Sequence, residues 1–387
     1  MTPPLPFTLL QVTPELETGG AEQTTIDMAA AVVRAGGRAL VASRGGRMAG
    51  WLAEAGGELV PMPVQSKNPL MILANARRLA ELIRREKVDL IHARSRAPAF
   101  SALWAARATG IPFVATYHGV YEAKGPLKRW YNSVMTRGAA VIANSHYTKA
   151  HILAEHRLAP DKVIAIPRGV DLRRFDPALV TPERVDALRS AWGVAADDAR
   201  VKILLAGRLT RWKGQGLLIE AAARLKAKGL DNFLILLVGD DQGRDGYRAE
   251  LEAAIAKAGL EGQVKLTGHC ADMPAAYLIA DIVVAPSLKP EPFGRTAVEP
   301  QIMGRPVIAA AHGATSETVE AGQTGWLAAP GDPEAWADAL ASAIALPAAE
   351  RLAIGQAGRA RATRLYSVDA MCEATLDVYA KVLETRA

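Results

Sequence analysis

Apolar and polar residues follow one another along this chain in blocks. Short, near-continuous apolar runs at residues 7–12, 39–42, 59–62, 88–92, 112–117 and 140–143 predict strands. Between most of them lie longer stretches of helical periodicity, at 21–34, 70–85, 99–108 and 146–156. Apolar runs without alternation, separated by helices, predict a parallel sheet covered on both faces. The pattern pauses at IPRGVD, residues 166–171, and RRFDP, residues 173–177, a turn-rich stretch that reads as a linker. Strand-like runs then resume at 202–205, 233–238, 264–267, 282–285, 307–310 and 326–328. Alanine-rich helix follows from about residue 334, broken near Pro347 and Ser367.

This organisation predicts an α/β protein with two parallel-sheet domains. Residues 1–170 form the first, joined by a terminal helix over about 366–387; residues 171–365 form the second. Ligands of open parallel sheets bind in crevices at the carboxyl ends of the strands. Two such sheets facing one another would make one deep cleft.

Composition narrows the class. A chain of 387 residues, half hydrophobic and 22% charged, is long enough for two domains and is not disordered. Two cysteines supply no disulfide framework and fit a reducing compartment. No apolar stretch approaches the roughly 18–20 residues of a spanning helix, and the N-terminus lacks the layout of a signal peptide. A cytoplasmic protein is expected. The net charge of +6 is uneven: the first 170 residues carry 21 Lys and Arg against 12 Asp and Glu, and the remainder is slightly acidic. Either the first half meets something anionic or the imbalance is simply solvated. Nucleic acid is not expected, since no basic aromatic helix, zinc spacing or RNA-recognition motif is present.

Candidate chemistry gathers at predicted strand ends. In EPFGRTAVE, residues 291–299, Glu291 and Glu299 flank a glycine-opened helix start. Free N–H groups and the macrodipole at such an end suit a phosphate, and Gly294 permits close approach. Carboxylates beside it suit the hydroxyls of a diol; an ordinary acidic loop is the plain alternative. In GRLTRWKG, residues 207–214, Arg208 and Lys213 can neutralise a diphosphate leaving group without a metal, or can be solvated surface cations. Gly19-Gly20 after the first strand allows a ligand to approach closely, or is a plain turn. His118 at the end of a strand can hold a sugar or move a proton, or can be packed. His92 reads as the end of a buried strand, and Arg94 and Arg96 after it can meet an acidic acceptor. No dinucleotide fingerprint, P-loop, nucleophile elbow or metal-ligand spacing occurs.

Together these residues resemble the retaining glycosyltransferases of family 4, which have the GT-B fold. The resemblance spans nearly the whole chain. Its most specific part is the E-x7-E motif from Glu291 to Glu299; GRLTRWKG, the Gly19-Gly20 loop and IPRGVD also match. Two departures stand out. The linker usually reads P-N-G-V-D, so Arg168 replaces an Asn, and GDDQGRDG at 239–246 replaces a shorter G-D-G-P.

The resemblance implies roles. Arg208 and Lys213 would bind the donor diphosphate, and Glu299 the ribose. Glu291 would contact the donor sugar, with His118 near the transferred group. Backbone of Phe293, Gly294, Arg295 and Thr296, and the Gly19-Gly20 turn, would complete the donor site. Glu291, His118, Arg208 and Lys213 form the expected catalytic set; Arg94, Arg96 and Lys124 face the acceptor. No cofactor and no metal are implied, because the donor is a nucleoside-diphosphate sugar. HARSRAPAF, residues 92–100, and the stretch through DMPAAY resemble members that build lipopolysaccharide core, which implies a glycan or lipid-linked acceptor. KGPLKRWY, residues 124–131, joins Lys124, Lys128 and Arg129 to Leu127, Trp130 and Tyr131, a composition suited to an anionic inner-membrane surface or to an ordinary amphipathic helix. A nucleotide-sugar epimerase and a non-catalytic sugar-nucleotide module are the other classes this architecture admits.

Overall fold

The computed structural model describes residues 7–17, 19–241, 243 and 245–385. The chain divides into two compact units. Residues up to Gly169, together with those from Val368, form unit 1; Val170–Ser367 form unit 2.

Unit 1 holds seven strands: β1 (Thr8–Val12), β2 (Arg38–Ser43), β3 (Glu58–Pro61), β4 (Leu90–Ala93), β5 (Phe113–Tyr117), β6 (Ala140–Ala143) and β7 (Val163–Ala165). They lie in the order β3-β2-β1-β4-β5-β6-β7, every pairing parallel. The order reverses between β1 and β4, so the crevice beyond those two strands is where a ligand is expected. The helices are α1 (Gly20–Arg34), α2 (Ala49–Glu54), α3 (Pro69–Glu86), α4 (Arg96–Thr109), α5 (Pro126–Asn132) and α6 (His146–His156). Side chains alternate across β1. Leu10 and Val12 pack with residues of α3 and α4, while Leu9 joins α1 residues on the other face. Local chemistry sets the helix ends. Asn68 caps α3 by accepting from the Leu70 N–H with Pro69 at the first position, and Ser145 caps α6 by accepting from the Thr148 N–H.

Unit 2 holds β8 (Val201–Ala206), β9 (Phe233–Val238), β10 (Val264–Gly268), β11 (Ile282–Ala285), β12 (Val307–Ala310) and β13 (Gly325–Ala328). Their order is β10-β9-β8-β11-β12-β13, again all parallel. Its helices are α7 (Pro182–Ala191), α8 (Gln215–Ala227), α9 (Asp245–Lys257), α10 (Met273–Ile279), α11 (Arg295–Ile302), α12 (Thr315–Thr318), α13 (Pro333–Ala345) and α14 (Ala348–Leu365). Alternate β8 residues again serve opposite layers, Leu204 and Ala206 on one face and Ile203 and Leu205 on the other.

The last helix, α15 (Val368–Glu384), returns to unit 1. Met371, Cys372, Val378 and Tyr379 bury against the α1 face of the sheet. Tyr379 Oη lies 2.5 Å from His92 Nδ1, and Thr116 Oγ1 lies 2.8 Å from the other ring nitrogen. His92 is thus a packed strand residue. Burial, reinforced by Arg94 and His118, holds its pKa well below the usual imidazole value. Burial also pushes the Cys372 thiol up to about 12, which makes it inert.

Candidate active site

In unit 2 the loop after β8 and the loop after β11 meet. Lys213 Nζ donates to Glu291 Oε1 at 2.5 Å, and Ser287 Oγ donates to the same oxygen at 2.8 Å. Both side chains of the ion pair are nearly buried, at 13% and 10% exposure. Backbone geometry brings them together. Gly214 turns left-handed (φ 82°) directly after Lys213, and a Cβ there would lie 2.0 Å from the Pro286 carbonyl. The Leu288 N–H donates to the Trp212 carbonyl at 2.7 Å. Gly313 lets the β12–α12 loop cross Glu291, whose carbonyl accepts from the Ala314 N–H at 2.9 Å. Trp212 lies under the Lys213 ammonium, 4.4 Å from ring centroid to Nζ.

Glu299 is held one turn into α11. Arg295 donates to Oε1 (Nη2 at 2.6 Å), and Tyr277 Oη donates to Oε2 at 3.1 Å. Gly294 caps the helix in the left-handed region (φ 81°), so Gly294, Arg295 and Thr296 present the free N–H groups of a helix start. The Phe293 side chain is buried against Tyr366. Arg208 follows β8 and is exposed, with its carbonyl accepting from Gln215 Nε2 at 2.9 Å. In the 239–246 loop, Gln242 and Arg244 lie outside the described residues.

The remaining candidates lie in unit 1. His118 follows β5, and both its ring nitrogens are buried without a hydrogen-bond partner. Burial, with Arg168 and Arg94 nearby, keeps its pKa well below the imidazole range. The group approaching the Gly19-Gly20 turn belongs to the protein itself: a Cβ on Gly20 would lie 2.2 Å from Arg168 Nη1. The same guanidinium donates from Nη2 to the His118 carbonyl at 3.2 Å. Arg94 and Arg96, read as loop cations, are held tightly by the protein. Arg94 is 2% exposed and donates from Nε and Nη2 to Gln11 Oε1 at 2.9 and 2.5 Å. Arg96 stacks over Tyr121, 3.9 Å from its centroid, and donates to Asn132 Oδ1 at 2.8 Å. Lys124 is exposed just before α5.

Ser287, Gln11 and Asn144 lie outside the sequence motifs, while Tyr277 closes the DMPAAY stretch. Of these three, only Gln11 carries a sequence signal, as a polar residue inside a buried apolar run. The 78-residue separation hides the Lys213–Glu291 pair from any local pattern.

Both halves of the chain match family models. Residues 18–174 match "Glycosyltransferase Family 4" and residues 189–361 match "Glycosyl transferases group 1". A crystal structure of a glycosyltransferase from Rickettsia africae superposes with a TM-score of 0.89 at 34% identity, covering 98% of this chain and 99% of that one. The chain belongs to the family-4 glycosyltransferases of the GT-B fold. Anabaena Alr3699/HepE, solved in complex with UDP and glucose, aligns with this glycosyltransferase at a TM-score of 0.80 and 26% identity, over 97% and 100% of the two chains. A D-inositol 3-phosphate glycosyltransferase of Saccharomonospora viridis is 30% identical over 300 residues, 72% of this chain and 67% of that protein. Other curated relatives match over 59–73% of their own length. Within the glycosyltransferase, no three His, Cys, Asp or Glu side chains among the described residues gather to hold a metal ion. No helix among the described residues is long and apolar enough to cross a membrane.

Proposed function

We propose that this glycosyltransferase moves a sugar, with retention of configuration, from a nucleoside-diphosphate sugar to a glycan or lipid-linked acceptor of the cell envelope, without a metal ion. The observation that carries the reading is the Lys213–Glu291–Ser287 cluster, where the β8–α8 loop meets the β11–α11 loop just before the α11 helix start. A diphosphate arriving at that helix start competes with Glu291 for the Lys213 ammonium. Lys213 and Arg208 then neutralise the leaving group, while Glu291, released on one side, faces the donor sugar. Glu299, oriented by Arg295 and Tyr277, accepts from the ribose hydroxyls. The UDP-bound Anabaena relative supports a nucleotide-sugar donor. The lipopolysaccharide assignment rests on the HARSRAPAF and DMPAAY resemblance.

The test is incubation with UDP-, GDP- and ADP-sugars and candidate acceptors, with and without EDTA, reading free nucleoside diphosphate. Acceptor-dependent release that survives EDTA is expected. Epimerised donor without release would indicate an epimerase, and binding without turnover a non-catalytic module. Loss of activity on chelation, restored by Mg²⁺ or Mn²⁺, would overturn metal independence.

We place the protein in the cytoplasm, peripherally on the inner membrane. Leu127 and Trp130 of α5 are 79% and 54% exposed, and Trp130 packs on Phe100 of α4, whose Trp104 is also exposed. Of the expected cations, Arg129 is tied to Glu155 at 2.9 Å, which leaves Lys124 and Lys128 to meet anionic headgroups. Flotation with anionic vesicles should fall with salt and with a Lys124→Ser/Lys128→Ser variant. Equal flotation of that variant would remove α5 from the reading.

A further inference from the structure

The loop between β12 and α12 closes over the Glu291 cluster. Strands β11 and β12 are parallel neighbours, with Ala285 level with Ala309, so their loops leave the sheet side by side. Four successive residues of the second loop meet the first. A Cβ on Gly294 would lie 3.0 Å from Thr315 Cγ2, and the Ala314 N–H donates to the Glu291 carbonyl at 2.9 Å. Gly313 crosses the Glu291 backbone, where a Cβ would lie 2.8 Å from both its N and its O. The remaining contact is made by a polar side chain: His312 Nε2 lies 2.8 Å from the Ser287 carbonyl.

A carbonyl cannot donate, so the proton sits on Nε2 and the imidazole is the donor. His312 is also pinned from its own side. Its N–H donates to the Ala310 carbonyl at 2.8 Å, and its carbonyl accepts from Thr315 Oγ1 at 2.5 Å. Ser287 is 2% exposed, and its carbonyl receives no other hydrogen bond among the described residues. The Ser287 hydroxyl donates to Glu291 Oε1, the oxygen that Lys213 also holds. Without the imidazole, a buried carbonyl loses its donor, and the residue that orients Glu291 is free to turn.

We propose that His312 is a positioning residue for sugar transfer: through Ser287 it fixes the Glu291 carboxylate, and it does so without touching Glu291 itself. Gly313 and Ala314 hold the Glu291 backbone, and His312 holds the route to its side chain. The reaction in this inference rests on the glycosyltransferase reading, while the coupling of His312 to Glu291 comes from the hydrogen bonds alone.

The experiment has two arms, both on the full-length protein. The first is a double-mutant cycle in urea denaturation with His312→Ala, Glu291→Gln and the pair. The pair should shift the midpoint by less than the sum of the single shifts; additive shifts would overturn the inference. The second is nucleoside-diphosphate release from UDP-, GDP- and ADP-sugars with acceptor. His312→Ala should lower kcat by about tenfold, the scale of one buried hydrogen bond, and leave the donor KM within about twofold. His312→Gln, whose amide N–H₂ can donate to the same carbonyl, should recover most of the loss. An unchanged kcat in His312→Ala, a loss that falls on KM alone, or a His312→Gln variant as slow as His312→Ala despite a wild-type circular dichroism spectrum would overturn the inference. A coupled urea cycle in a protein that releases no nucleoside diphosphate from any of these sugars would support the hold on Glu291 and overturn the transfer reading instead.

Discussion

The two polar clusters of this protein are built on opposite plans. In unit 2 the carboxylates are satisfied by neighbours: Glu291 by Lys213 and Ser287, Glu299 by Arg295 and Tyr277. In unit 1, Asn144 and His118 have no partner, and Arg94 has only Gln11. The first plan fixes side chains in place before any ligand arrives, so binding exchanges one partner for another and little ordering remains to be done. The second leaves buried donors and acceptors unpaired by side chains or backbone, which carries a desolvation cost. One cluster is held by internal pairing, and the other carries an internal deficit.

Four measurements can break or sharpen that contrast. Lys213→Ala should have the largest effect, lowering turnover by about 10²–10³, or about 2.7–4 kcal/mol, read as nucleoside-diphosphate release. A double-mutant cycle with Glu291→Gln should be strongly non-additive, because the two side chains act through one hydrogen bond. Additive losses would show that the pair does not function as a unit.

The next concerns pH. His92 and His118 have folded pKa values below their unfolded ones. The unfolded chain therefore takes up protons that the folded chain refuses. Their contribution is complete above about pH 6.5 and is lost as pH falls below it, by about 1.4 kcal/mol per pH unit for each histidine. Hydrogen exchange, corrected for intrinsic rates, should show β4 and β5 losing protection between pH 7.5 and 5 while β8 and β11 hold theirs. Parallel loss in both units would contradict it.

Tyr379→Phe should destabilise the chain by about 1–3 kcal/mol in urea denaturation, because His92 Nδ1 is left buried and unpartnered. Asn144→Leu should have the smallest effect on the free protein, within about 1 kcal/mol or slightly stabilising, since it removes groups that are already unsatisfied. If Asn144→Leu costs as much as Tyr379→Phe, Asn144 is satisfied in solution and the contrast between the clusters fails.

Much of the fold was legible in the sequence. The block pattern is a direct consequence of strands buried on both faces, and residues 146–156, 233–238 and 307–310 read as the elements they form. What escaped was short or polar. The β7 strand is three residues long, α2 is six, and α7 has no buried residue to give it a face. The sequence pattern starts α4 at residue 99, three residues late, because Arg96 and Pro98 hide its first turn, where proline is well tolerated. The site was only half legible. The motif marked Glu291, Glu299, Arg208 and Lys213 one by one, but not that Lys213 and Glu291 hold one another. In unit 1 the Gly19-Gly20 turn signalled close approach, and the approaching group is Arg168. Contacts of that kind join distant strand ends, and no local window contains both partners.

The return of α15 to unit 1 also sets an order of assembly during synthesis. Val170–Ser367 is complete, with all six of its strands, before residues 368–384 leave the ribosome. Until then the α1 face of the first sheet lacks Met371, Cys372, Val378 and Tyr379, and His92 lacks the Tyr379 hydroxyl. The domain that begins first therefore finishes second. A chain cut after Ser367 would hold a complete unit 2 and an open unit 1 with an uncovered apolar face, the state in which this protein most needs a chaperone.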